Sequence, residues 1–357
     1  MVGARPNFMK MAPIHRLMLD SAPINPLLLH TGQHYDERMS KLFFNDLQIP
    51  EPNIYLGVGS GSHAVQTARI MTDFEQVCQQ EKPDWVIVVG DVNSTAACSL
   101  VAKKLHINVA HVESGLRSND RRMPEEINRI VTDAISDVLF TSEKSGNENL
   151  GREGIAPEKI HFVGNVMIDS LLNHIEKAKR SAILEKLSLQ KGGYVLVTLH
   201  RPSNVDNREI LANLVDMFAI VSKDLPVVFP IHPRTRKMLD QFDLADKVAA
   251  NPGIQLIEPQ GYLDFMNLMA NSTVVVTDSG GIQEETTCLK IPCITMRENT
   301  ERPSTVELGT NVIVGTDTDY ALKLLRKAIE GDWKDSVIPP KWDGKTAERI
   351  VETFERL

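Results

Sequence analysis

The sequence predicts an α/β protein built from two doubly wound domains of similar size. Three observations carry this expectation. Short apolar runs alternate with helical stretches along the chain, the mark of βαβ units whose parallel strands are covered on both faces. The alternation runs through once, is interrupted by a long polar helical stretch at 166–187, and then restarts. At 357 residues the chain also exceeds the roughly 250–300 residues that one hydrophobic core ordinarily serves.

In chain order, the first strand is nearly absent. Only Met1 and Val2 precede Gly3-Ala4-Arg5-Pro6, which reads as a strand-to-helix turn. The first strand of such a domain ordinarily lies inside the sheet, so either the start lies upstream or the domain tolerates a stub. β-branched and apolar runs at 27–30, 85–89, 109–112, 138–140 and 160–163 supply the remaining strands of the first domain. Helical stretches at 65–80, 96–105 and 124–135 separate them. The second set of strands falls at 194–199, 227–230, 255–257, 273–277, 293–295 and 311–314, with helices at 208–221, 234–241, 262–269, 281–288 and 321–329. The expected domains are therefore 1–165 and 166–340.

Composition excludes several function classes. The formal net charge is −8, with 39 Lys and Arg against 47 Asp and Glu, which argues against a nucleic-acid binder. Aromatic residues make up only 5% of the chain, so a platform that stacks bases is not expected. Cys78, Cys98, Cys288 and Cys293 are scattered and never spaced as C-x-x-C, so neither a disulfide framework nor a zinc site is expected. No signal-peptide pattern opens the chain, and its longest aliphatic run is far too short to cross a bilayer. The expectation is a soluble cytoplasmic protein with no membrane partner.

In open parallel sheets, ligands gather at the carboxyl ends of the strands. Gly3–Lys10 follows the stub, with Arg5 and Lys10 around a helix start. Asp91 follows the strand at 85–89, Glu113 ends the strand at 109–112, and Glu125 opens a helix after Pro124. Carboxylates converging on one cleft suit proton abstraction and delivery, because proximity drives their pKa values apart. An acid in the first helical turn, such as Glu125, also complements the helix dipole. Glu113 has no such ordinary explanation at the end of an apolar strand. In the second domain, Ser279-Gly280-Gly281 opens a helix with free N–H groups and no obstructing side chains, which suits a phosphate or pyrophosphate. Arg5, His200, His232 and Arg302 are candidate partners for the same dianion. Gly57-Val58-Gly59-Ser60-Gly61 looks like a nucleotide loop, but no clear strand enters it and no acidic residue follows at the right distance. There is no Walker loop, no H-E-x-x-H and no G-x-S-x-G. No metal and no redox cofactor is expected.

Taken together, the segments GARPNFMK, HTGQH, GDVNSTAA, HVESGLRS, PEEINR, FVGNVMIDSL, TLHRPSNV, IHPRT, TDSGGIQEE and MRENTERPSTVELGTN resemble the non-hydrolysing UDP-N-acetylglucosamine 2-epimerases. They occur in order from Gly3 to Gly315. The resemblance implies two Rossmann-like domains facing a cleft, a glycosyltransferase-B-like arrangement, with the C-terminal residues 341–357 crossing back to the first domain. It implies UDP phosphates near Ser279, Gly280 and Gly281, reached by Arg5 and His200, and ribose hydroxyls on Glu285. Lys10, Arg201, His232 and Arg302 complete the implied binding set. Asp91, Glu113 and Glu125 match the family's catalytic acids and bases, and His200 matches a residue that supports departure of UDP. The implied chemistry is removal of the C2 proton as UDP leaves C1, giving 2-acetamidoglucal, followed by readdition of UDP with the proton returned to the opposite face. UDP-N-acetylmannosamine for envelope glycans is the implied product, and a homodimer the implied assembly.

The short segment Ser118–Met123 and the loop His34–Met39 depart from regulated bacterial members and argue against activation by a second substrate molecule. A shortened form also accompanies relatives that epimerise modified sugars such as UDP-2,3-diacetamido-2,3-dideoxyglucuronic acid. A UDP-sugar glycosyltransferase or hydrolysing relative shares the fold, since fold alone does not fix activity. Keeping all three carboxylates favours epimerisation, because a simple transferase needs no base at C2.

Overall fold

The computed structural model describes residues 1–3, 5–32 and 51–357, the Arg5 side chain excepted. The segment His34–Met39 therefore lies outside the described residues. The chain forms two compact units, Met1–Asn173 with Pro340–Leu357, and His174–Pro339. The dividing point falls inside a helix, α6 below, where the sequence pattern placed it at that helix's start.

The first unit holds β1 (Leu29–His30), β2 (Ile54–Tyr55), β3 (Trp85–Val89), β4 (Asn108–Ser114), β5 (Val138–Thr141) and β6 (Ile160–Phe162). All pair in parallel, β1 with β2 and β3 to β6 in sequence order. The stub joins the two sets. Val2 bridges His30 in parallel register, and the Met1 amino group donates to the Ile87 carbonyl at 2.9 Å. Helices α1 (Arg5–Asp20), α2 (His63–Glu81), α3 (Asn93–Lys104), α4 (Pro124–Ile135), α5 (Lys144–Arg152) and α6 (Val166–Ala178) separate the strands. Helix α2 starts where the Ser62 hydroxyl accepts the Val65 N–H at 3.3 Å, and α4 starts with Pro124, whose missing N–H costs nothing in a first turn. Ile70, Phe74, Ala97 and Val101 of α2 and α3 pack on Val86, Val88 and Val109, which is why β3 and β4 read as continuous apolar runs. One expectation is corrected here. A strand does enter the glycine-rich loop at 57–61, namely β2, but two residues are too few to leave a pattern.

A second correction concerns the stretch 166–187. It is not one helix: α6 stops at Ala178 and α7 (Ile183–Lys186) starts afresh. The Ser181 hydroxyl accepts the Ile183 N–H at 3.1 Å and donates to Asp264 at 2.5 Å, diverting the backbone from the helical ladder.

The second unit is a six-stranded parallel sheet of β7 (Val195–Thr198), β8 (Val227–Pro230), β9 (Ile254–Ile257), β10 (Val274–Thr277), β11 (Cys293–Thr295) and β12 (Asn311–Ile313). Their order is β12-β11-β10-β7-β8-β9. The chain winds outward from β7 through β8 and β9, then returns to β10 and winds the other way. The junction of β7 and β10 is thus the topological switch point, where such sheets bind ligands. Helices α8 (Pro202–Val205), α9 (Arg208–Val221), α10 (Pro233–Gln241), α11 (Ala245–Ala249), α12 (Tyr262–Ala270), α13 (Gly280–Leu289), α14 (Pro303–Glu307) and α15 (Thr318–Ile329) cover the sheet. Of these, α8, α11 and α14 are too short to show periodicity. The last helix, α16 (Thr346–Phe354), belongs to the first unit. Ahead of it, buried Trp342 donates from Nε1 to the Ser142 carbonyl at 3.0 Å, and Asp169 accepts the Ala347 N–H at 2.7 Å.

Candidate functional site

In the first unit Asp91 sits on the turn after β3, Glu113 is the second-last residue of β4, and Glu125 lies in the first turn of α4. Gly90 takes a φ of 68°, and a Cβ there would lie 3.4 Å from Lys10 Nζ and 3.7 Å from Glu113 Oε2, so the turn needs glycine to approach these groups. Lys10, on α1, forms an ion pair with Glu113, and both side chains are buried. Glu113 is a non-glycine residue with φ 70°, at the point where the register between β4 and β5 shifts. Such a conformation is uncommon for a residue with a side chain and needs firm support.

Asp91, partly exposed, is ion-paired with Arg129 of α4. The same guanidinium donates to Glu126 Oε2 through Nη2 at 2.6 Å and Nε at 3.0 Å. Glu126 also accepts the N–H groups of Ser118 at 3.0 Å and Asn119 at 2.9 Å. Burial works to raise its pKa, but these donors outweigh it and hold the carboxyl below its ordinary value. Glu125 is exposed in the first turn of α4. The segment Ser118–Met123 is thereby latched to α4 by Glu126, next to Asp91's partner.

In the second unit the site residues follow β7 and β10, whose Thr198 and Thr277 hydroxyls meet at 2.7 Å. Asp278 is the hub. Its Oδ2 accepts the N–H groups of His200 at 2.9 Å and Arg201 at 2.8 Å and the Asn204 amide at 3.0 Å, while its Oδ1 lies 2.9 Å from His200 Nδ1. Burial opposes ionisation, yet His200 and the other donors hold the Asp278 pKa below its ordinary value. The partly exposed His200 ring lies 5.3 Å from that of His232, tilted by 37°. His232 Nδ1 accepts the Arg234 N–H at 3.1 Å, and Arg201 Nε donates to the Asp278 carbonyl at 2.9 Å.

Ser279 precedes α13, whose first turn is Gly280-Gly281-Ile282. First-turn N–H groups have no intrahelical acceptor and point outward. A Cβ on Gly280 would lie 2.5 Å from Arg302 Nη1 and 3.0 Å from Glu301 Oε1. Arg302 thus lies directly against the start of α13. It is buried, with Nε 2.8 Å from Glu284 Oε1 and Nη1 paired with Glu301, so its charge is already matched within the protein. Glu285, one turn along α13, accepts from the Tyr262 hydroxyl at 3.2 Å, and burial pushes its pKa up to about 7.

The structure brings Lys10 to Glu113 and gathers His200, Arg201 and His232 around Asp278. Arg5 begins α1, with its side chain outside the described residues. Asp278, Arg129, Glu126 and Tyr262 belong to these sites and were not singled out in the sequence. Arg129 offered a signal, standing three residues after Glu126 on one helix face. Among the described residues, no group of three or more His, Cys, Asp or Glu is placed to hold a metal ion, and no helix is long and apolar enough to cross a membrane.

Comparison with known proteins bears on the whole chain. A family model described as UDP-N-acetylglucosamine 2-epimerase matches residues 18–355. A UDP-N-acetylglucosamine 2-epimerase from Methanocaldococcus jannaschii is 46% identical, over 98% of this chain and 96% of its own. A UDP-2,3-diacetamido-2,3-dideoxy-D-glucuronate 2-epimerase from Pseudomonas aeruginosa is 40% identical, over 100% of this chain and 98% of its own. The crystal structure of the Methanocaldococcus jannaschii UDP-GlcNAc 2-epimerase in complex with UDP-GlcNAc and UDP matches with a TM-score of 0.90 at 44% identity, covering 100% of this chain and 98% of that one. Both units are therefore of the kind found in these isomerases, and the chain belongs to the UDP-N-acetylglucosamine 2-epimerase family.

Proposed function

We propose that the protein interconverts UDP-N-acetylglucosamine and UDP-N-acetylmannosamine without hydrolysis. The observation that carries this reading is the buried Lys10–Glu113 pair beside the Gly90–Asp91 turn, a carboxylate held in an unusual backbone conformation at a strand end. Abstraction of the C2 proton leaves its electron pair to form the C1–C2 double bond, as the C1–O bond breaks and UDP departs with that bond's electrons. Readdition reverses the polarity: a UDP β-phosphate oxygen bonds C1, and a proton returns to C2 on the other face. Asp91, Glu113 and Glu125 share these transfers, and Lys10 balances charge beside Glu113.

UDP binds at the switch point of the second unit in this reading. The N–H groups at Ser279, Gly280 and Gly281 cradle the phosphates, and Arg302 shapes that cradle from behind Gly280. His200, oriented by Asp278, supports departure of UDP, while Arg5, Arg201 and His232 add positive charge or donors. Glu285 takes the ribose hydroxyls. A homodimer is the assembly we propose, with the cytoplasm as its compartment because nucleotide sugars are made there; sedimentation at twice the chain mass would support the dimer.

The purified protein is incubated with UDP-N-acetylglucosamine in deuterated water and followed by NMR. Deuterium at C2 and growth of the manno isomer are expected, with no free sugar. Free N-acetylmannosamine would instead mean hydrolysis, and absence of C2 exchange rejects the proposal. The likeness to the diacetamido-glucuronate epimerase motivates a second substrate arm: faster exchange on the modified sugar would reassign the substrate and leave the chemistry intact.

A further inference from the structure

One buried ion-pair network fastens both turns that present the first unit's carboxylates. His111 lies on β4, fully buried, two residues before Glu113. Its Nδ1 is 2.6 Å from Asp133 Oδ1, and its Nε2 is 2.8 Å from the carbonyl oxygen of Gly90. Each ring nitrogen is thus held by an oxygen of a different element, Nδ1 by α4 and Nε2 by the turn after β3. The Gly90 carbonyl shares a rigid peptide plane with the Asp91 nitrogen, so holding it sets the direction in which Asp91 leaves the turn.

Asp133, also fully buried on α4, takes the Gly115 N–H on Oδ2 at 3.0 Å and lies 2.7 Å from Arg117 Nη1. Arg117 in turn donates to Glu153 at 2.8 and 2.6 Å. The Gly115 N–H belongs to the peptide plane just past Glu113 and Ser114, and so pins the chain on the far side of the residue with φ 70°. The buried Asp133 carboxylate is matched by the Arg117 guanidinium, and Arg117 reaches out to the exposed Glu153, so the charge on α4 does not stand alone in the interior. An apolar pair of similar volume would fill the same space and would release both turns.

We propose, on the reading that Asp91 and Glu113 carry the proton transfers, that His111 and Asp133 are positioning residues for the reaction. They fix the angle at which the two turns present their carboxylates, and they act through the Gly90 carbonyl and the Gly115 N–H.

The test compares His111→Asn with His111→Gln. The asparagine keeps a polar group near Nδ1, toward Asp133, but does not reach the Gly90 carbonyl. The glutamine amide reaches the position of Nε2 and can restore that bond. C2 deuterium exchange at saturating UDP-sugar, KM, UDP affinity by calorimetry and thermal melting are measured for each. His111→Asn should lose exchange by about a hundredfold, the size of effect expected for a misplaced catalytic group, with UDP affinity unchanged. His111→Gln should recover most of it. Wild-type exchange in a folded His111→Asn, or loss of exchange and of UDP binding together in both variants, overturns the proposal. If His111→Asn does not fold, His111→Gln decides alone: retained exchange supports the proposal and lost exchange in a folded protein overturns it. Absence of exchange in the unmutated protein instead rejects the proposed function. In that event the amide resonances of Asp91 and Gly115 test the network directly. Both should shift in His111→Asn, and unmoved resonances overturn the positioning role.

Discussion

At the scale of single residues, Glu285 is a buried carboxyl whose charge changes near neutral pH. Its folded pKa is about 7 against an ordinary 4.5, with burial as the main cause and Glu284 adding to it against the Tyr262 bond. Between those values the folded protein holds a proton that the unfolded chain has released. Its contribution to stability is therefore full below pH 4.5, falls as pH rises toward 7 and is absent above. The contribution is at most about 3 kcal/mol. Urea titrations across this window should find wild type losing stability relative to Glu285→Gln as pH rises. On the proposed role of Glu285 toward the ribose, the ionised carboxylate is the stronger acceptor, so UDP affinity should rise more from pH 6 to 8 in wild type than in Glu285→Gln; calorimetry at the two pH values checks this. Lys10 supplies a second prediction. Lys10→Met removes the buried ion pair with Glu113 and should destabilise the first unit by about 1–3 kcal/mol, whereas adding Glu113→Gln should recover part of that loss in chemical denaturation. Glu113 was legible because an acid ending an apolar strand has no exposed face to justify it. Asp133 and His111 were not, because a histidine inside an apolar run and an acid in an amphipathic helix each look ordinary until the fold brings them together.

At the scale of elements, α13 shows how closely a helix start can be packed. Gly280 faces Arg302 and Glu301 so closely that any side chain must displace a buried ion pair. Gly280→Ala should therefore destabilise the second unit by about 1–3 kcal/mol and weaken UDP binding. Gly151→Ala, in α5 where a Cβ meets nothing within 4 Å, should be neutral or stabilise by up to about 1 kcal/mol; thermal melts of the two variants make the comparison. The helix start at Ser279-Gly280-Gly281 could be read from sequence because glycine pairs after an apolar strand have a definite geometry. Arg302 could not be placed the same way. A cation in a loop reads as a ligand for an anion, and only the packing reveals Glu284 and Glu301 beside it. Short elements were missed for a related reason. Strand β2 and helices α8, α11 and α14 are held by neighbours and carry no period of their own.

At the scale of the whole molecule, residues 340–357 are part of the first unit despite following the second in sequence. Asp169 and the Ser142 carbonyl depend on that segment for hydrogen bonds. Deleting residues 340–357 should speed amide exchange in α1, β5 and α6 and leave β7 to β12 protected, which hydrogen-exchange mass spectrometry can follow. Uniform loss of protection in both units would contradict the division. The amino-acid sequence by itself determined the alternation of strands and helices, the two-unit α/β fold and the turns at the strand ends, because hydrophobic periodicity and glycine placement are local properties. Only the tertiary structure decided which charges meet. Lys10 and Glu113, His111 and Asp133, and Arg302 and Glu284 are distant in sequence or on different elements, and whether a buried charge is matched depends on neighbours that no local pattern names.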